Sequence, residues 1–284
     1  MSRYEVHKVV EDKEMTEFGR EVETLYLNES YLFTNTVAVI TDINKLEEGD
    51  PSSKHGTHCM KLNKHIFHPQ GGGQPSDIGS VEVKSEGEDN VLSFLVKFVA
   101  YSPENREVLL HYGSFGDSSM ESKFHVGLEV NLSVDAAKRA LHSRLHSAGH
   151  AIDACLSRLG MFDRLKAEKG YHFIDSPYVE YTVLGDLSAE EMKMLPSQLS
   201  EQMGNLINEG IVTDIVYMSR EEAAMKLTNC DVSNYPDTIR VVYVAGLPCP
   251  CGGTHVDSTS DLQKVTITKV NKKKGKIRIS YNID

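Results

Sequence analysis

Two pairs of metal-ligand donors, each spaced four residues apart, stand out in this chain of 284 residues. One pair is His146 and His150, inside the run from Arg139 to His150 (RALHSRLHSAGH), and the other is Cys251 and His255, inside CGGTH. Imidazole nitrogen and thiolate sulfur in sets of four are what a zinc ion takes. Residues four apart on a helix lie on one face about a turn from each other, so a histidine pair there can aim at a common point. His142 extends that face by one turn, so two helical pairs are open, His142/His146 and His146/His150. In the second motif, Gly252 and Gly253 give the backbone the freedom to fold both side chains back on one ion. Cys249 and Cys251 are too close to form an ordinary disulfide and read as one ligand and one neighbour.

Four ligands with one thiolate make either a closed structural site or a hydrolytic one with an exchangeable position. An open site would activate water or polarise an acyl carbonyl. The helix lacks the glutamate of H-E-x-x-H, so the general base of that peptidase class is missing. An activated ester is then an easier substrate than an amide.

The donors need a helix, a turn and a frame. Leu141, Leu145, Ala148, Ile152, Cys155 or Leu156, and Leu159 recur at helical spacing, with Asp135 as N-cap and Gly160 as stop. Ser188-Ala189-Glu190-Glu191 is a capping box opening a helix to about Glu209, with Met192, Leu195, Leu199, Met203 and Leu206 as its core stripe and Pro196 as a kink. Ser219 caps a shorter helix in the same way. Strands are expected at Tyr31–Asp42, Ser80–Lys84, Val91–Val99 and Glu107–Tyr112, with a loop at 43–60 and turns at Gly87 and Pro103. Further strands are expected at 169–173, 178–183, 211–217 and 239–244, and a final hairpin joins Lys264–Val270 to Lys276–Tyr281. The short strands of residues 1–130 suggest a small barrel or sandwich, and helices interleaved with strands over 131–284 make that half α+β or α/β.

Between the early strands lies Gly71-Gly72-Gly73-Gln74-Pro75-Ser76-Asp77-Ile78-Gly79. Three glycines in a row permit positive φ and a close approach of backbone to a neighbour or ligand.

The formal charge of −11 argues against a protein that coats nucleic acid non-specifically. The acid is concentrated in front: residues 1–130 carry 12 Lys/Arg against 22 Asp/Glu, and residues 131–284 carry 18 against 19. Basic clusters at Lys138–Lys169 and Lys264–Arg278 could meet a phosphate backbone. Five cysteines without framework spacing read as thiols of a reducing compartment. With no long apolar run, no leader and acids at Glu5, Glu11, Asp12 and Glu14, a cytoplasmic protein with no membrane partner is expected.

The glycine-rich stretch, His146-Ser147-Ala148-Gly149-His150 and Cys251-Gly252-Gly253-Thr254-His255-Val256 together resemble the editing domain of alanyl-tRNA synthetases and the free-standing AlaX-type proteins, whose zinc domain is shared with threonyl-tRNA synthetases. The resemblance implies an α+β fold, with a small β-barrel-like domain at 1–130 bearing the glycine-rich motif followed by an α/β sandwich-type zinc-binding domain at 131–284, and zinc held by His146, His150, Cys251 and His255, leaving His142 outside. It implies trans-hydrolysis of mischarged alanine tRNA, chiefly seryl-tRNA and also glycyl-tRNA. His146, His150 and Gln74 would be catalytic, with Gly71, Gly72, Gly73, Gln74, Asp77, Arg144, Lys169 and His172 at the substrate. Cys249 and Pro250 before Cys251 depart from a plain motif, and the acidic front half would have to face away from tRNA. Two other readings compete: a non-catalytic tRNA-binding module stabilised by zinc, and a zinc hydrolase of small esters.

Overall fold

The computed structural model describes residues 23–34, 36–84, 91–227 and 230–284. The Gly87 turn and the first 22 residues lie outside them. In the front part the strands are β1 (Glu23–Thr24), β2 (Thr36–Lys45), β3 (His58–Leu62), β4 (Lys64–His65), β5 (Gly79–Lys84), β6 (Val91–Tyr101), β7 (Leu109–Phe115) and β8 (Glu129–Val134). Six of them close into an antiparallel barrel in the order β2-β3-β7-β6-β5-β8, while β1 and β4 form a short parallel pair.

The barrel interior follows from alternation. Ile40, Met60, Val81, Phe94 and Leu132 point inward and are buried, with polar or charged residues between them. Two expectations shift. The first strand begins at Thr36 rather than Tyr31, and β3 falls in the stretch read as a loop, because His58-Cys59-Met60-Lys61-Leu62 is a short alternating run behind a breaker-rich one. The last barrel strand, β8, crosses the division drawn at 130/131 and pairs with both β2 and β5.

The rear part begins with α1 (Ala136–Arg158), then β9 (Leu165–Tyr171), β10 (Tyr178–Val183), α2 (Ala189–Glu209), β11 (Asp214–Ser219), α3 (Arg220–Lys226), β12 (Thr238–Val244), β13 (Leu247–Pro250), β14 (Val265–Lys273) and β15 (Lys276–Ile283). The caps act as the sequence implies. Asp135 accepts from Lys138 N at 3.0 Å, the Ser188–Glu191 box is complete, and Ser219 accepts from Glu222 N. Two sheets form, β14-β15-β10-β9 and β11-β12-β13. Leu145, Ile152, Leu195, Leu199, Met203, Ile277 and Tyr281 pack into one core between α1, α2 and the larger sheet. Among the described residues, no helix is long and apolar enough to cross a membrane. The five cysteines are free thiols.

The two parts are tied by buried polar contacts. Arg139 on α1 and Asp77 of the glycine-rich stretch form a fully buried ion pair, with Arg139 Nε 3.0 and 2.9 Å from the two carboxylate oxygens. Arg139 Nη1 also donates to the Ser30 carbonyl at 2.8 Å. From the opposite side, Arg240 Nε on β12 donates to the Leu27 carbonyl at 2.9 Å, and Tyr217 donates to Asn28 at 2.8 Å. The segment 25–30 is thus a clasp between barrel and rear sheet.

Three barrel histidines, His65, His68 and His111, are buried, the first stacked on the third at 5.4 Å. Burial pushes His68 and His111 down to about 4, and His65 well below its usual value. The fold therefore holds them neutral, whereas the unfolded chain takes up protons near the ordinary 6.5. As pH falls from the ordinary value toward the folded one, the unfolded state binds the extra protons and stability is lost, by about 1.4 kcal/mol per pH unit for each histidine. His111 rests edge-on against Phe67 and its Nδ1 hydrogen-bonds the Met60 carbonyl, so a ring of similar size can stand in its place. In urea titrations, His111→Phe should flatten the slope of unfolding free energy against acid pH by about that amount; a slope equal to the wild type's would contradict the assignment.

Candidate metal centre

His146, His150, Cys251 and His255 come together with one ligand atom from each lying within 4.8 Å of the others. Cys251 Sγ is 3.5 Å from His146 Nε2 and 3.3 Å from His255 Nε2. Two ligands of one tetrahedral zinc, with bonds of about 2.3 Å to sulfur and 2.0–2.1 Å to nitrogen, stand about 3.6 Å apart. The donor set and its spacing fit that ion. Of the two histidine pairs left open by the sequence, the structure gathers His146/His150, and His142 stays outside the cluster.

Each histidine is backed by a polar partner on its other nitrogen, as metal-binding imidazoles are. The clearest case is His146. Gln74 Oε1 accepts the Thr254 backbone N–H at 3.1 Å, and Gln74 Nε2 donates to Thr254 Oγ1 at 2.9 Å. Because a backbone N–H can only donate, the amide orientation is set, and His146 Nδ1, 2.8 Å from the same oxygen, must carry its proton. Its Nε2 lone pair is left facing Cys251. His255 Nδ1 lies 3.2 Å from Ser147 Oγ, which accepts the Val256 N–H. His150 Nδ1 faces Asp153 at 3.9 Å, and Asp153 in turn accepts from Tyr181.

Burial sets the electrostatics. It holds His146 and His255 well below the usual imidazole range, His150 at about 4, and pushes the Cys251 thiol up. Asp153 is raised to about 7 by burial. The imidazoles are therefore neutral and available as ligands, and a bound cation would stabilise the thiolate. His146 and His255 are buried, and His150 and Cys251 are half-buried.

Two glycines make room for this. Gly253 lies against the His146 ring, where any Cβ would collide with the imidazole. Gly73, with φ +81°, packs on the Gly170 carbonyl, where a Cβ would also collide. The Gly71–Gln74 turn closes on itself by two backbone bonds and docks through His172 N to the Gly73 carbonyl at 2.9 Å.

His172 reaches the cluster. Its ring stacks on His146 at 4.8 Å, and its Nδ1 lies 2.6 Å from the Tyr281 hydroxyl. That hydroxyl donates to the Leu145 carbonyl at 2.8 Å, so His172 Nδ1 is the donor and Nε2 carries the lone pair.

Other residues expected at the substrate have the following partners in the fold. Asp77 is consumed by Arg139 and the His68 N–H, with no exposed surface to offer. Arg144 sits off the His146/His150 face and binds the carbonyls of Leu262 and Asp284 at 3.0 and 2.8 Å. Lys169 pairs with Glu180 on the outer face of β9, since strand alternation turns Lys169 and His172 to opposite sides. Gln74 stands behind His146.

Several residues were not anticipated. Ser143 and Ser147 continue the His146/His150 stripe at helical spacing, which is a legible polar face on an otherwise apolar helix. Arg240 on β12 donates through Nη1 to the Cys251 carbonyl, its own backbone carbonyl accepts the Cys251 N–H at 3.2 Å, and no local pattern announces it. Removing the carboxamide in Gln74→Ala should weaken zinc affinity by about 10–100-fold in competition with a chromophoric chelator. An unchanged affinity would refute its role behind His146.

Residues 239–280, which carry β12 and the cysteine turn, match the family described as the threonyl and alanyl tRNA synthetase second additional domain. An alanine–tRNA ligase of Methanobrevibacter smithii is 27% identical over 77% of this chain, and one of Thermotoga petrophila is 30% identical over 71%. This chain spans less than a quarter of those ligases, 23% and 22% of their lengths. Alanyl-tRNA editing protein AlaX-M of Methanosarcina barkeri is 24% identical over 92% of this chain and 98% of its own length. The motifs that suggested the resemblance and the matches along the chain agree: residues 239–280 match the second additional domain of threonyl and alanyl tRNA synthetases, and the chain is similar over most of its length to alanyl-tRNA editing proteins.

Proposed function

We propose that this protein is a trans-acting deacylase that hydrolyses the ester of mischarged alanine tRNA, chiefly seryl-tRNA and also glycyl-tRNA, with zinc at the His146–His150–Cys251–His255 cluster. The observation that carries the proposal is this cluster with its Gln74, Ser147 and Asp153 backing. The near full-length similarity to an alanyl-tRNA editing protein supports the choice of substrate. When bound, the ion supplies Lewis acidity toward an acyl ester.

The chain's own residues bind and orient. His146, His150, Cys251 and His255 hold the ion; Gln74 keeps the His146 proton on Nδ1 so that Nε2 stays a donor. His172 is held by burial at about 3, so it stays neutral. Its Nε2 then accepts a hydrogen bond from the ribose or the aminoacyl group rather than offering charge. The glycine turn, pressed onto Gly170, closes one side of the pocket against water. Division of the chain into a barrel unit and a zinc unit belongs to this reading, the barrel supplying the turn that carries Gln74.

In deacylation assays the zinc-loaded protein should hydrolyse seryl-tRNA(Ala) faster than alanyl-tRNA(Ala), and Cys251→Ala should lower kcat/KM by about 100-fold or more. Turnover of small esters without dependence on tRNA would favour the general hydrolase, and absence of any turnover would favour the binding module.

A further inference from the structure

The sheet β14-β15-β10-β9 buries one face against α1 and α2, where Val179, Tyr181, Ile277, Ile279 and Tyr281 lie. The opposite face is turned to solvent. Register places Lys269, Ser280, Tyr178 and Tyr171 in one row across the four strands, and the rows beyond set Arg278 and Lys169 on either side of Glu180, and Lys276 and Lys166 on either side of Thr182. Lys166, Lys169, Lys269, Lys273, Lys276 and Arg278 all project there, in a chain whose net charge is −11. Glu180 already pairs with two of these cations, Arg278 at 3.0 Å and Lys276 at 3.4 Å, while Glu168 accepts from the Thr182 hydroxyl and Asp175 from the Tyr171 hydroxyl.

Through this cationic field runs a column of near-parallel half-buried rings. Phe173 stacks on Tyr171 at 4.6 Å and 16°, and Tyr171 on Tyr178 at 5.5 Å and 18°. The Arg278 guanidinium lies over Tyr178 at 4.0 Å. Ile174 beside the column is 58% exposed. His172, between Tyr171 and Phe173, turns inward to stack on His146. The column therefore flanks, along the chain, the one residue of this edge that turns inward to the metal centre.

We propose that this sheet face is a platform for the single-stranded 3′ end of an RNA, whose phosphates lie along the surrounding lysines while an unpaired base stacks on the Phe173 end of the ring column, which Tyr171 and Tyr178 hold in place, and whose last nucleotide passes the β9 edge to enter beside His172. An aromatic column that ends on an open sheet edge suits an unstacked base, which a duplex does not present. A second copy of this chain is disfavoured as occupant because it would set six cations against six. The inference rests on the aminoacyl-tRNA reading and adds the route by which the acyl end arrives.

The test measures, in parallel, anisotropy of a labelled short single-stranded RNA ending in CCA and deacylation of seryl-tRNA(Ala). Tyr171→Ala and Tyr178→Ala should each weaken oligonucleotide binding by about tenfold, and Tyr171→Phe should restore it. In the assay the same alanine variants should raise KM and leave kcat near that of the wild type. If tRNA is not deacylated but the oligonucleotide still prefers the wild type over Tyr171→Ala, the platform stands and the deacylase reading falls. If seryl-tRNA is deacylated and Tyr171→Ala binds and turns over as the wild type does, the platform falls alone. Failure of the wild type to bind the oligonucleotide at low salt, or a dimer abolished by Tyr178→Ala, also overturns it.

Discussion

Three imidazoles and a sulfur, largely removed from water, turn their lone pairs toward one another at one spot. Such an arrangement gains nothing by itself. Burial forbids protonation that would let one ring donate to the next, and the thiol has one weak proton to share among three acceptors. A cation satisfies all four at once. The outward hydrogen bonds to Gln74 and the polar contacts of Ser147 and Asp153 orient the rings so that the inward lone pairs remain.

Much of the architecture serves that orientation. Gln74 reaches His146 only because the Gly71–Gln74 turn lies flat on β9, and the turn is held there from its other side by Asp77. Asp77 follows Gln74 by three residues, and Arg139 precedes His146 by seven on the same helix. Their buried pair thus sets the barrel loop and the histidine helix in register, and breaking it by removing one partner would cost about 3–5 kcal/mol. The clasp at 25–30 does the same for the cysteine turn: Ser30 Oγ accepts the His255 N–H at 3.3 Å, while its carbonyl accepts from Arg139. An ordinary-looking segment is the meeting point of barrel, helix and turn.

The parts of this that could be read in advance are those with local causes. Helix α1 declares itself through stripe and caps, and four donors at fixed spacing declare a ligand set, because both depend only on neighbours along the chain. Long-range partners leave no such trace. Asp77 and Arg144 look like substrate contacts beside a glycine loop and a histidine helix, yet each is satisfied by groups distant in sequence, Asp77 by Arg139 and Arg144 by the Leu262 and Asp284 carbonyls. Gln74 was legible as important but not as a support for His146, since nothing local shows that its amide meets a backbone N–H 180 residues on. Short β3 and the late end of β8 escape for a related reason: their pairing is decided by barrel closure rather than by their own pattern.

The most direct test is X-ray absorption spectroscopy at the zinc edge on purified protein with its metal content measured in parallel. One zinc per chain with a first shell of three nitrogens and one sulfur is the result the lone-pair geometry requires. Protein without stoichiometric metal, or a zinc shell containing no sulfur, would contradict it.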